Sequence, residues 1–155
     1  MDYRAGNTVK RFHTVNLLVE ETVGHHSANV AMLCNLLTNY QPSVNLLKAA
    51  LYHDLAEQFT GDVPATAKWM YPGLKNALAI IEQDQLPDIV LTEDEERILK
   101  QADMLDLCYK AAEEMAMGNK GMRRIFLNGI HWLQTNQPSL GVLNRVKELL
   151  DECEQ

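Results

Sequence analysis

Apolar residues recur along the chain at helical rather than strand spacing. After Thr22, the residues Val23, Val30, Leu33, Leu37 and Tyr40 fall at intervals of three, four and seven, and Gln41-Pro42 closes the segment. Ser43 then caps a second apolar helix, read over 43–59, that carries Leu46, Leu47, Ala50, Leu51 and Leu55. The string Thr60-Gly61-Asp62-Val63-Pro64 turns the chain. A short helix follows Pro64, another runs from about Pro72 to Gln85, and Leu86-Pro87 breaks the chain again. Thr92 with Glu95 forms a capping box before a long helix whose Ile98, Ala102, Leu105, Tyr109 and Ala112 share a face; Gly118-Asn119 stops it. Two further helices, about 121–135 and 139–152, complete the set. No stretch alternates at period two, and no Asn-Gly or Asp-Gly turn joins β-branched runs. The pattern predicts an all-α bundle of six or seven helices.

Composition narrows the class. The 155 residues fit one domain at roughly 150 residues each, read as 1–155, with no repeat or separating linker. Apolar residues at 46% and charged residues at 23% exclude a disordered, collagenous or coiled-coil chain. With 21 acidic residues against 14 Lys and Arg, the charge of −7 argues against binding nucleic acid or an anionic membrane. Lys120, Arg123 and Arg124 form the one tight cationic group, read as a solvated helix end. Cys34, Cys108 and Cys153 are far apart and lack CxxC spacing, which argues against a disulfide framework or zinc finger. The first residues are polar, without the apolar region of a signal peptide, and no run approaches the roughly 18 residues of a membrane span. The expectation is a soluble, cytoplasmic protein.

The dipeptide His53-Asp54 demands explanation, because it falls within the apolar segment 43–59. A buried Asp is costly unless paired or bound to a metal. His26 lies on the preceding helix, and Asp103 lies next to an apolar stripe position on the long one. Two imidazoles and two carboxylates form an N/O ligand set suited to Mn, Fe, Co, Ni, Zn or Mg, with positions open for water and substrate. Glu57 follows His53 by four residues on the same face, and Asp62 sits in the Gly-containing turn. Other polar residues have plainer readings. Asp106 is read first as a partner for Lys110 at i+4, with a competing ligand role one turn after Asp103 as the alternative; Glu113-Glu114 is read as a solvated helix face, and His131 as a packing or capping residue beside Trp132. Glu21 either bonds a ligand histidine from behind or caps its helix.

The string Arg11…Glu21…His26-Ser27…Tyr52-His53-Asp54…Glu57…Thr60-Gly61-Asp62-Val63-Pro64…Lys68…Lys100-Gln101-Ala102-Asp103 resembles the HD-domain phosphohydrolases. Within them it is most similar to the 5′-deoxynucleotidase branch, whose signature ALYHDLAEQFTGDVPATAK matches. The resemblance covers about residues 11–119, including Gly118-Asn119; the helices over 121–152 carry no motif and would close the bundle or form a subunit interface. It implies that His26, His53, Asp54 and Asp103 ligate one divalent cation. Glu57 would orient or deprotonate the attacking water, and Asp62 would share that chemistry or position the nucleotide. Arg11 would contact the substrate phosphate, with Lys68 a second phosphate candidate. Phe12 stands where this branch usually has Trp, and would stack on sugar or base. His25 stands where it usually has Glu, next to His26.

The resemblance implies hydrolysis of deoxynucleoside 5′-monophosphates by a homo-oligomeric enzyme. Two alternatives share the scaffold: a deoxynucleoside triphosphate triphosphohydrolase, as in small phage proteins that attack dATP, and a non-catalytic nucleotide-binding regulatory module. The chemistry is coherent on physical grounds. Phosphate-ester hydrolysis needs a metal to polarise phosphoryl oxygen and activate water, and a cation such as Arg to absorb developing charge.

Overall fold

The computed structural model describes residues 2–153. Its regular elements are helices, with an isolated antiparallel bridge between Lys10 and Thr22. A short α1 (Tyr3–Asn7), capped by the Asp2 carboxylate on the Arg4 and Ala5 N–H groups, precedes everything the apolar spacing indicates. α2 (Val23–Leu37) starts where the Thr22 hydroxyl accepts the His25 N–H. It stops short of the proline break, because Asn39 and Tyr40 turn left-handed with φ of 53° and 63°.

α3 (Val44–Tyr52) begins on the Ser43 hydroxyl, which accepts the Leu46 N–H. The continuous helix expected over 43–59 does not form: the chain turns at 53–56 and resumes as α4 (Glu57–Thr60). His53 Nδ1–H donates to the Ala50 carbonyl at 2.9 Å, the group that would receive the Asp54 N–H in an unbroken helix. The N–H groups of Leu55 and Glu57 reach back only three residues, to Tyr52 and Asp54. His53-Asp54 therefore stands at a helix end, not inside a helix. Gly61 follows with φ 70°, a left-handed conformation that glycine adopts without a Cβ penalty.

α5 (Ala65–Met70) and α6 (Pro72–Gln85) form a hairpin, in which Leu78 is the buried residue of α6. Then comes α7 (Glu93–Ala116), with both halves of the Thr92/Glu95 capping box in place. After a 3₁₀ turn at Lys120–Met122 come α8 (Arg123–Thr135) and α9 (Leu140–Cys153). With α1 added and 43–59 divided, the described residues hold more helices than the six or seven expected.

α7 is the axis: α2, α3, α8 and α9 all pack on it. Phe126, Ile130 and Leu133 of α8 and Val142, Val146 and Leu149 of α9 recur at helical spacing and bury against Leu105, Cys108 and Ala111. Each large side chain so buried contributes about 1.5–3 kcal/mol. Gly129 allows the close α7–α8 approach, since a Cβ there would lie 2.5 Å from Cys108 Sγ. A second apolar cluster, Val30, Cys34, Leu46, Ala50 and Ala102, joins α2, α3 and α7 and so fixes the three elements that carry the candidate ligands. Among the described residues no helix is long and apolar enough to cross a membrane.

Candidate metal centre

His26 is fully buried in the first turn of α2, while neighbouring His25 is exposed. His26 Nε2 lies 3.2 Å from His53 Nε2, 3.1 Å from Asp103 Oδ1 and 3.4 Å from Asp54 Oδ2. His53 Nε2 is itself 3.4 Å from the same Asp54 oxygen. The end of α3 thus delivers His53 and Asp54 to one point, opposite His26 from α2 and Asp103 from α7. All four atoms are lone-pair donors, and such a set holds together only around protons or a cation. In the metal-free chain a proton serves. Burial disfavours the His26 imidazolium, but the Asp103 and Asp106 carboxylates outweigh it and raise the pKa to about 9. For Asp103, burial pulls upward, yet the His26 hydrogen bond and the charges of His53 and Arg11 hold its pKa at about 2. Two imidazole nitrogens and two carboxylate oxygens fit a divalent cation.

Both imidazoles are aimed from behind. His53 spends Nδ1–H on Ala50, and His26 Nδ1 lies 2.7 Å from Asp106 Oδ2, so each ring presents Nε2 to the centre. The same Asp106 oxygen is 3.8 Å from Arg11 Nη1, which also meets Glu21 Oε2 at 3.1 Å. Arg11 is largely buried and engaged by two carboxylates. Glu21 is raised from its ordinary value by burial, against the pull of Arg11.

On the other side of His53, a small cavity of about 10 Å³ is lined by Glu57, Gly61, Lys68, Leu78 and Glu82. That is room for about one water. Glu57 Oε2 is buried there without a hydrogen-bond partner. Burial, together with the negative charges of Asp54 and Asp62, pushes the Glu57 carboxyl up to about 9, against the opposing pull of Lys68 and Arg11. Glu82 is raised by burial too, with Lys68 opposing. Asp62 turns away from this cavity to accept the Phe12 N–H at 2.8 Å. Phe12 is held at φ 56°, rare for an aromatic residue, with its ring 5.3 Å from the Arg11 guanidinium carbon.

The structure therefore gathers His26, His53, Asp54 and Asp103, sets Glu57 and Lys68 on one adjoining cavity, and ties Arg11, Phe12 and Asp62 into the segment beside it. It corrects three readings. Asp106 is not the partner of Lys110; it bonds His26, and Lys110 Nζ pairs with Glu114 Oε1 at 2.9 Å. Glu114 is not solvated: it is fully buried, and only Glu113 is exposed. His131 is exposed rather than packed. A signal for Asp106 and Glu114 exists in the sequence, since Asp103, Asp106, Lys110 and Glu114 recur at spacings of three, four and four, one stripe of a helix. Glu82, on a helix read only for its boundaries, has no such signal.

The comparisons with known proteins agree with this geometry. The family model described as 5′-deoxynucleotidase YfbR-like matches residues 5–91. A 5′-deoxynucleotidase of Cronobacter sakazakii is 30% identical over 138 residues, covering 72% of this chain and 69% of the relative. Among solved structures, the PH0347 protein of Pyrococcus horikoshii superposes with a TM-score of 0.80 at 20% identity, covering 97% of this chain and 95% of that one. The HD phosphohydrolase DatZ of cyanophage S-2L, solved with dA and one catalytic Zn²⁺, gives 0.72 at 17% identity, covering 99% and 97%. At these identities the two structures establish the shared all-α fold. The family match spans more than half of the 155 residues and makes this chain a member of the YfbR-like 5′-deoxynucleotidase family, and so a nucleotide phosphohydrolase.

Proposed function

We propose that the protein is a divalent-metal-dependent 5′-deoxynucleotidase, converting a deoxynucleoside 5′-monophosphate and water to deoxynucleoside and inorganic phosphate. One observation carries the reading: four lone-pair donors from three elements converge beside a buried, unpartnered carboxylate oxygen. His26, His53, Asp54 and Asp103 would hold the cation. When bound, it supplies Lewis-acid polarisation of a phosphoryl oxygen and lowers the pKa of its water. The Zn²⁺ and dA in the fold relative, and the activity named for the curated relatives, support the same assignment.

The protein's own groups divide the remaining work. Glu57 would orient the attacking water through Oε2 and take its proton: burial and the Asp54 charge keep the carboxyl protonated in the metal-free chain, and a cation beside Asp54 would lower it. Lys68, on the same cavity, balances phosphate charge. Arg11 supplies planar donors to the phosphoryl oxygens with its remaining N–H groups, held in place by Glu21 and Asp106. Phe12, whose half-buried ring also packs on the α7–α9 core, would contact sugar or base, and Asp62 fixes its backbone. Arg11 and Lys68 are the two cations assigned to the substrate phosphate. That supply suits a monophosphate better than a triphosphate, whose extra charge needs further compensation.

Product analysis by ion-exchange chromatography tests the proposal. Protein loaded with Mn²⁺ or Co²⁺ is offered deoxynucleoside mono- and triphosphates in parallel. Inorganic phosphate and deoxynucleoside from the monophosphates are expected. Intact tripolyphosphate from a triphosphate would replace the reading with triphosphohydrolase activity, and no product from either would replace it with a regulatory module.

A further inference from the structure

We infer that Asp106 is a positioning residue of the metal centre, holding His26 by Nδ1 so that Nε2 points at the cation, and sharing the same carboxylate with Arg11. The inference rests on the metal-centre reading above.

The geometry has three parts. Asp106 Oδ2 lies 2.7 Å from His26 Nδ1, at charge-assisted hydrogen-bond length, and both residues are buried. A carboxylate only accepts, so the facing nitrogen carries the proton and the other is directed to the centre. Asp106 also stands three residues after Asp103 on α7. One turn of a rigid helix thus supplies both a ligand and the group that orients another ligand, and fixes their separation. Finally, Arg11 Nη1 lies 3.8 Å from that same oxygen and is drawn by Glu21 at 3.1 Å, so Glu21 answers Arg11 while Asp106 links Arg11 to His26. Glu21 makes no bond to His26 that would duplicate the role of Asp106. A phosphate-binding cation and a metal ligand are therefore registered to each other through one carboxylate.

Asp106 also borders a groove of about 270 Å³ between α2 and α7, lined by Asn29, Tyr109 and Lys110 among others. Asp106→Asn keeps an acceptor of equal size, and circular dichroism checks that Asp106→Ala retains its helices.

Two readouts test the inference on the full chain. The first is the His26 Nδ1–H resonance of metal-free protein, by ¹⁵N-edited NMR. A downfield signal protected from solvent exchange is expected in the wild type, weakened in Asp106→Asn and lost in Asp106→Ala. The second is Co²⁺ affinity by chelator competition, with the visible spectrum of the bound ion. The dissociation constant should rise by about 10–100-fold in Asp106→Ala, less in Asp106→Asn, with a shifted spectrum. An Nδ1–H signal unchanged in Asp106→Ala, or wild-type affinity and spectrum in that variant, would overturn it. Failure of the nucleotidase reading looks different: turnover is absent in the wild type while its protected Nδ1–H signal is present.

Discussion

α7 carries two polar clusters along one stripe, and they are built to opposite ends. At Lys110 and Glu114 each carboxylate oxygen is bonded twice. Glu114 Oε1 accepts from Lys110 at 2.9 Å and the Val19 N–H at 2.9 Å, while Oε2 accepts from the Leu18 N–H at 2.8 Å and the Asn119 amide at 2.8 Å. Lys110 also reaches the Val19 carbonyl at 2.7 Å, and Asn119 the Asn16 carbonyl at 2.8 Å. Charges cancel, and the segment around 16–19 is clamped to α7. Two turns earlier, Asp103 joins Asp54, His26 and His53 in a set of acceptors facing one another, with Glu57 Oε2 unpartnered beside them. Burial of polar groups completed by the chain is architecture; burial left incomplete by it marks where something else must bind.

That contrast can be broken by substitution. The largest effect is expected from Asp54→Ala, which should abolish stoichiometric Co²⁺ binding and lower turnover on the order of 10³-fold or more, about 4 kcal/mol, while circular dichroism shows the helices retained. Full turnover in metal-depleted Asp54→Ala protein would end the metal mechanism. Next comes Glu114→Ala, which strands Lys110 and two backbone N–H groups in the interior and should cost about 3 kcal/mol of stability in urea unfolding.

The closed cluster also has a pH signature. Burial alone would raise the Glu114 carboxyl, but its four donors hold the pKa at about 2, against an ordinary value of 4.5. A lowered folded pKa contributes stability that is fully present above pH 4.5 and is lost as the pH falls from there through 2. The wild-type Tm should therefore drop in that acid window, and Glu114→Gln should flatten the drop. The smallest effect runs the other way. Glu57→Gln removes an uncompensated buried acid, so the metal-free protein should gain about 1 kcal/mol, while the loaded enzyme loses roughly 10²-fold in rate. A stability loss on Glu57→Gln would place that residue in the architectural class instead.

How much of this was legible in the sequence depends on the range of the interaction. The capping box at Thr92 and Glu95, the Ser43 cap and the bounds Pro72–Gln85 are local events, and the structure reproduces them. The break after Tyr52 was not legible. Leu55 and Ala56 continue the apolar pattern, and nothing in spacing reveals that the His53 side chain takes the Ala50 carbonyl. Asp106 and Glu114 were misread because i+4 pairing on one helix offers Lys110 to either. The choice between them was made by Leu18, Val19 and Asn119 on one side and by His26 on the other.

By itself, then, the sequence determined the helical class, most helix ends and the identity of the chemically capable residues, because propensity, capping and periodicity act within a few residues. Only the tertiary structure decided that Asp106 backs His26, that Arg11 is bracketed by Glu21 and Asp106, and that Glu57 is left without a partner. Those outcomes depend on where α2, α3 and α7 cross, and that is set by burial of Val30, Cys34, Leu46, Ala50 and Ala102, contacts made between residues far apart in the chain.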